Sequence, residues 1–340
     1  MNITEITRLT KIAQKHVTDI VNLAIEHDSK KRMLVIFDTD TDLSTILSGA
    51  YKQAFVDATF IDFNAVEKEV VLDAFAGLAE QDLVVLVQSG DFRLNEFRIR
   101  LHLFERGIKV IDHRHLARND ESAHETYIEA LSYDPEWYRG VGHAIKDKLA
   151  KTERLEIFCG EQKLIVEGGL EQPKPNLGDY RELKNVGGTF PIGEVFTEAK
   201  DLVKVNGSLM IYAFADVNFN IEMREPFRID ITDGLVTGWG ENTPQAFVDV
   251  IEKIKTNERA IMREIGFGMN RAITRENYLK DITAFERILG LHVSLGEKHT
   301  VYKKEGIRAK KTRYHVDLFL DVTEVLADEG VLFKAGEYKI

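Results

Sequence analysis

Apolar residues open the chain at helical spacing. Ile3, Ile6, Leu9, Ile12, Ala13, Val17, Ile20, Val21 and Ala24 fall on one face, with charged residues between them, and predict a long one-sided helix. The pattern then changes. Met33-Leu-Val-Ile-Phe37, Asp82-Leu-Val-Val-Leu-Val87 and Ile108-Lys-Val-Ile111 are short, mostly apolar runs. Strands of this kind are buried on both faces, as in a parallel sheet covered by helices. Helical spacing covers 41–54 and 94–106, and helical stretches continue to about residue 150. Apolar strands alternating with helices predict an α/β domain over residues 1–150, doubly wound around a mostly parallel sheet.

The second half follows a different pattern. Strand-like pieces at 155–158 and 163–166 lie close together; 209–214 and 227–232 follow, and the last turns at Asp233-Gly234 into 235–239. Asp-Gly between two alternating runs is a strong hairpin signal. Helices are expected at 243–255 and 276–289, and a long alternating strand over 312–325. Residues 151–340 therefore read as an α+β domain with a largely antiparallel, barrel-like sheet, in which Gln172-Pro-Lys-Pro175 is a loop.

Composition narrows the function classes. A chain of 340 residues exceeds what one core usually fills, in agreement with two domains. The formal charge of −11 argues against a general nucleic-acid binder, which needs a surplus of Lys and Arg. A single cysteine, Cys159, excludes an intramolecular disulfide and an all-cysteine zinc site. No apolar run approaches the ~20 residues that span a bilayer, and the opening helix carries acids throughout, unlike a targeting peptide. The expectation is a soluble, cytoplasmic protein with no membrane partner.

Candidate chemistry is unevenly spread. Asp38-Thr-Asp-Thr-Asp42 follows a strand, where open α/β sheets place ligands, but it reads first as a turn capping the next helix. His113-Arg-His115 has no carboxylate at metal-ligand spacing and reads as a polar loop. Neither a P-loop nor a complete G-x-G-x-x-G occurs. In the second half, His315 and Asp317 stand two apart in an apolar strand, so imidazole and carboxylate emerge on one face. His292 lies in the apolar run Leu291-His-Val-Ser-Leu295. Glu264 sits beside Gly266-Phe-Gly268, and Glu194 follows Gly193. Three carboxylates and two histidines on apolar, glycine-flanked segments suit two divalent cations, and the absence of thiolates favours zinc, manganese, cobalt or iron.

These segments resemble the aminopeptidase T family of metal-dependent aminopeptidases. The matching pieces are Gly193-Glu-Val-Phe-Thr197, Glu264-Ile-Gly-Phe-Gly-Met-Asn270, His292-Val-Ser-Leu-Gly296 and His315-Val-Asp317, in the family's order. The resemblance implies an N-terminal α/β domain, a C-terminal metal-binding domain and a homodimer. It also implies that Glu194, Glu264, His292, His315 and Asp317 ligate two divalent ions (zinc, cobalt or manganese) and that the substrate is a short peptide. His299 stands where the family usually carries a tyrosine, and Tyr302 lies three residues further on. Both are candidate catalytic residues, and Glu198 is a further candidate base. A related branch resembles dihydroxypyridine ring-cleaving dioxygenases, which use one iron. For that chemistry His292, His315 and Asp317 form a two-histidine, one-carboxylate triad.

Overall fold

In a computed structural model, residues 1–95, 97–218, 220–307 and 311–340 are described. The chain forms two compact units, each drawn from several stretches. Unit 1 comprises Met1–Arg139, Leu177–Ile192 and Arg271–Phe285, and unit 2 comprises Gly140–Asn176, Gly193–Asn270 and Glu286–Ile340. This division interleaves the two halves, where the sequence suggested one boundary near residue 150.

Unit 1 is built on a five-stranded parallel sheet. In spatial order its strands are β2 (Thr59–Asp62), β1 (Met33–Phe37), β3 (Leu83–Val87), β4 (Lys109–His113) and β8 (Gly187–Thr189). Every residue of β1, β3 and β4 is buried, including the polar Lys109, Asp112 and His113 of β4. Leu34, Ile36, Val84, Leu86 and Val110 form a core with α3 (Lys68–Ala76) and α4 (Ile99–Glu105). α2 (Asp42–Ala54) also contacts β1 and β3, and α1 (Ile3–Asp19) packs on α2. A short α5 (His124–Ala130) adds to α1. The doubly wound expectation therefore holds.

Unit 2 holds a sheet of 13 strands in which every pairing is antiparallel. One side contains β5 (Arg154–Cys159), β6 (Gln162–Glu167), β16 (Glu324–Ala327), β17 (Gly330–Lys334) and β18 (Glu337–Tyr338), with α6 (Gly142–Leu149) in the same unit. Six strands join in a ring: β10 (Val205–Ala215), β11 (Ile221–Thr232), β12 (Leu235–Trp239), β13 (Met262–Gly268), β14 (Gly290–Leu295) and β15 (Val316–Leu320). The Leu235–Ile261 bridge closes the ring, with hydrogen bonds from Val236 N to Ala260 O (3.0 Å) and from Met262 N to Gly234 O (2.8 Å). β9 (Glu194–Glu198) pairs with β13, and β7 (Lys174–Asn176) pairs with β9. α7 (Gln245–Lys255) buries Phe247, Val250, Ile251 and Ile254, and Phe247 meets Phe214 and Phe227 edge-on. The Asp233-Gly234 hairpin forms as expected, with positive φ at both residues (51° and 74°).

Several boundaries differ from the sequence reading. α4 begins at Ile99, not Leu94, because the Gln88 side chain accepts from Phe92 N (2.8 Å) and the chain after β3 leaves as a loop. The helix expected over 276–289 shrinks to α8 (Ile282–Phe285). Beyond it, Asn270 N bonds Arg287 O (2.9 Å) and Asn270 bridges Ile288, which draws the chain out before β14. The run 312–325 is not one strand either. β15 pairs with β10 and β14, whereas β16 pairs with β5 and β17, and the chain turns between them.

Candidate metal centre

All five carboxylates and histidines singled out above lie in unit 2 and come together. Their placement follows from strand register. Glu194 begins β9, Glu264 lies in β13, His292 in β14 and Asp317 in β15, and His315 immediately precedes β15. Gly266 faces His292 across β13–β14, and a Cβ on Gly266 would stand 2.1 Å from His292 Cε1. The glycine is the condition for the imidazole to lie across the strand. Register slips between Met262 and Ile265, a bulge that re-aims the intervening side chains, and Glu264 N donates to Ser294 Oγ there (3.1 Å).

Two carboxylates share one arrangement. The guanidinium of Arg287 binds Glu194 Oε2, which leaves Oε1 3.2 Å from His292 Nε2. His299 Nε2 lies 2.9 Å from Glu264 Oε2, which leaves Oε1 3.7 Å from His292 Nε2 and 3.9 Å from His315 Nε2. Each is thus fixed at one oxygen by a basic side chain and turns the other to the histidines. Asp317 Oδ1 stands 3.2 Å from His315 Nε2. The carbonyl of Lys298 accepts from His315 Nδ1 (3.2 Å), so in the neutral ring the lone pair is on Nε2, facing the carboxylates.

This donor set fits divalent cations. Glu194 Oε1, Asp317 Oδ1 and both nitrogens of His292 are buried without a hydrogen bond of proper geometry. Buried polar atoms left this way are costly unless something binds them. Ligand atoms fall within 4.8 Å of one another in three sets: Glu194–Glu264–His292, Glu264–His315–Asp317 and Glu286–His292–Asp317. A ligating histidine typically donates its other ring N–H to a carbonyl, as His315 does.

The electrostatics are those of buried carboxylates and imidazoles held close together. Burial opposes charge on His292, but Glu194 and Glu264 outweigh it and raise its pKa well above the ordinary value. Burial likewise opposes a charged His315, yet Asp317 and Glu264 push it up to about 10. Glu264 is held low despite burial, by His292 and His299. Glu286 is pushed up to about 8, first by burial and then, against the pull of Arg287, by repulsion from Glu194 and Asp317.

Three further candidates, among the described residues, belong to none of these ligand sets. The Val301 and Tyr302 amides donate to His299 Nδ1 (3.1 and 3.3 Å), so the His299 proton is on Nε2, directed at Glu264, and the ring orients that carboxylate. The Tyr302 hydroxyl donates to Gln172 O (2.7 Å) and approaches Phe196 O (3.3 Å), so it is engaged by backbone. Glu198 is fully buried against Arg263 (3.0 Å), with Lys304 at 3.6 Å. Sequence reasoning missed Glu286 and Arg287, which fell inside the helix expected over 276–289 and were not singled out. The available signal was a charged pair inside the apolar stretch Phe285-Glu-Arg-Ile288.

The N-terminal motifs resolve as structure. Asp38 accepts from Ser89 N (2.7 Å) and Ser89 Oγ (2.5 Å), and Thr41 caps α2. His113 is not in a loop but ends β4, buried between the hydroxyls of Tyr51 (2.9 Å) and Tyr127 (3.2 Å). Burial holds it down to about 3, so it is a neutral core histidine.

No protein-family model matches the chain, and no curated protein matches it in sequence. Solved structures do match in fold. The chain is similar to 2,5-dihydroxypyridine dioxygenase from Pseudomonas putida KT2440, with TM-score 0.63, 15% identity and coverage of 98% of this chain and 97% of that one. It is also similar to wild-type AmpT from Thermus thermophilus, with TM-score 0.59, 12% identity and coverage of 97% and 99%. At these identities the likeness defines the architecture: an α/β unit and a large antiparallel unit along the whole chain. Among the described residues no helix is long and apolar enough to cross a membrane.

Proposed function

We propose that this protein is a metal-dependent aminopeptidase that removes N-terminal residues from short peptides. The observation that carries the reading is that Glu194–Glu264–His292 and Glu264–His315–Asp317 share Glu264. Two neighbouring cations repel, and a carboxylate common to both triples offsets that repulsion. Donors that are all oxygen or imidazole suit zinc, cobalt or manganese. Divalent ions held by Glu194, Glu264, His292, His315 and Asp317 would supply Lewis acidity toward a peptide carbonyl and toward water.

The chain's own residues do the remaining work. Arg287 and His299 orient Glu194 and Glu264, and Lys298 O orients His315. Glu286 is the favoured general base in place of Glu198 or Tyr302. Arg287 Nη2 binds its Oε1 (2.7 Å), and the same carboxyl lies within 4.8 Å of ligand atoms of His292 and Asp317, close enough to take a proton from a group held at the cluster. The resemblance to the aminopeptidase T family and the fold shared with AmpT accord with this reading.

A second reading is a single-iron ring-cleaving dioxygenase using His292, His315 and Asp317. The ion pair of Arg287 with Glu194 favours it, because a guanidinium inside the cluster neutralises a carboxylate that a second cation would use. The dioxygenase fold match accords with it as well. The test is metal-stripped protein reconstituted separately with zinc, cobalt, manganese and iron and given a di- to pentapeptide pool. Metal-dependent release of N-terminal residues, with two ions bound, is expected. One bound iron, oxygen uptake with a dihydroxypyridine and no peptide release would replace the aminopeptidase reading by the second.

A further inference from the structure

Unit 1 contains a cavity of about 640 Å³ beyond the carboxyl ends of β3 and β4. In sheets of strand order 2-1-3-4-5, ligands bind outside these ends. At the β1–β3 switch itself the space is taken by Asp38, bound to Ser89. The cavity opens one strand further along, and its volume lies in the range of small-molecule sites.

Its charge is inverted relative to the chain. Among the described residues, the charged lining consists of Arg93, Arg98, Arg100 and Arg114 against Asp91 and Asp112, in a protein of net charge −11. The aspartates compensate incompletely. Asp91 is committed to Arg114 (2.6 Å). Asp112 is buried, accepts from Gln88 Nε2 (2.6 Å) and stands 3.5 Å from Arg100. Burial raises the Asp112 pKa, which weakens it as a counter-ion. Arg100 is driven below its ordinary value, first by burial and then, against Asp112, by repulsion from Arg114 and Arg98. Arg98 makes no ion pair with a carboxylate among the described residues. Leu86, Phe92, Leu94 and Ile99 supply apolar wall, and Phe92 is stacked on Phe63 with centroids 4.2 Å apart.

We propose that this cavity binds a small organic anion, its carboxylate or phosphate head on Arg98 and Arg100 and its apolar body against Phe92 and Leu94. Planar guanidinium groups match the geometry of both head groups, and crowded arginines gain most from an anion placed between them. This inference is independent of the metal cluster, which lies in the other unit.

The test is calorimetric titration of the full chain with benzoate, inorganic phosphate and the neutral isostere benzamide. Saturable binding of at least one anion, with none for benzamide, is expected, and the anion that binds identifies the head group. Arg98→Ala, at an exposed position, should weaken binding about ten-fold, the loss of one charge-assisted hydrogen bond. Arg100→Met is the second variant, and an unchanged melting temperature checks folding in each. Dependence on Arg98 separates this site from any anion binding at the metal cluster. Absence of saturable binding, equal binding of benzamide, or indifference to Arg98→Ala overturns the proposal.

Discussion

His299 holds Glu264 through a proton whose position is fixed from the far side of the ring. Its Nε2 lies 2.9 Å from Glu264 Oε2, while two backbone amides donate to Nδ1. A ring so constrained donates toward the carboxylate, which turns Glu264 Oε1 to His292 and His315. Partners of this kind are worth roughly 10–100-fold in metal affinity. His299→Ala should therefore weaken zinc binding by about that factor in a chelator competition, and His299→Gln, which keeps a donor toward Glu264, should weaken it less. Unchanged affinity would show that Glu264 needs no such support.

Glu264→Gln or Asp317→Asn should abolish both tight metal uptake and turnover, since each removes a charge from the same triple. Metal content by mass spectrometry and peptide release check this together. Full uptake in either variant would remove that residue from the ligand set.

Gly266→Ala is a separate test of the same cluster. The added methyl would collide with His292, whose ring is packed against Phe319 with centroids 5.6 Å apart. Overpacking of this kind costs about 1–3 kcal/mol. The expected outcome is a folded protein with lowered stability and lost metal uptake, read by urea denaturation and metal titration. Retained uptake would mean that His292 is not held in its observed place.

Arg263 is fully buried against Glu198, and it also donates to Glu297 O (2.7 Å) and Tyr302 O (3.0 Å), the loop that carries His299. Arg263→Ala leaves a buried carboxylate uncompensated, which costs roughly 3–5 kcal/mol. Chemical denaturation should show this loss. A change below about 1 kcal/mol, within surface-pair values, would mean that water or Lys304 takes over.

Asp82 gives unit 1 a defined response to acid. Burial opposes its charge, but the amides of Ala79 (2.8 Å) and Arg32 (3.0 Å) and the Arg32 guanidinium hold its pKa below the ordinary value. A depressed folded-state pKa contributes stability that is present above the unfolded pKa and lost as pH falls through the folded one. Asp82→Asn should thus cost on the order of 1–2 kcal/mol at pH 7. The difference from wild type should shrink below about pH 4, the ordinary aspartate range. Parallel urea curves at pH 7 and 3 that keep their separation would refute the assignment.

The sequence revealed those parts of the fold that depend on local pattern. β1 and β3 are legible because burial on both faces demands unbroken apolar runs, β4 through the short apolar pair Val110-Ile111, and the 232–235 hairpin because positive φ selects Asp-Gly. β8 was not legible: Gly187-Gly-Thr189 carries no apolar pattern, and it joins the sheet through backbone bonds to β4 alone. The ligand candidates could be named from their apolar settings, but their orientation could not. The Arg287–Glu194 contact joins positions 93 residues apart, and Glu286 owes its raised pKa first to burial and then to Glu194 and Asp317 on other strands. His113 misled for a related reason, because its partners Tyr51 and Tyr127 come from two helices distant in sequence.

Because β13, β14 and β15 are neighbours in a ring, the spacing of the donors they carry is set by backbone hydrogen bonds rather than by side-chain packing. A substitution changes which atom stands at a given address, whereas an insertion or deletion of one residue sends the donors beyond it to the opposite face of the sheet. Such a frame is conservative in length and permissive in chemistry: donors can be changed one side chain at a time while the hydrogen-bonded lattice beneath them keeps its measure.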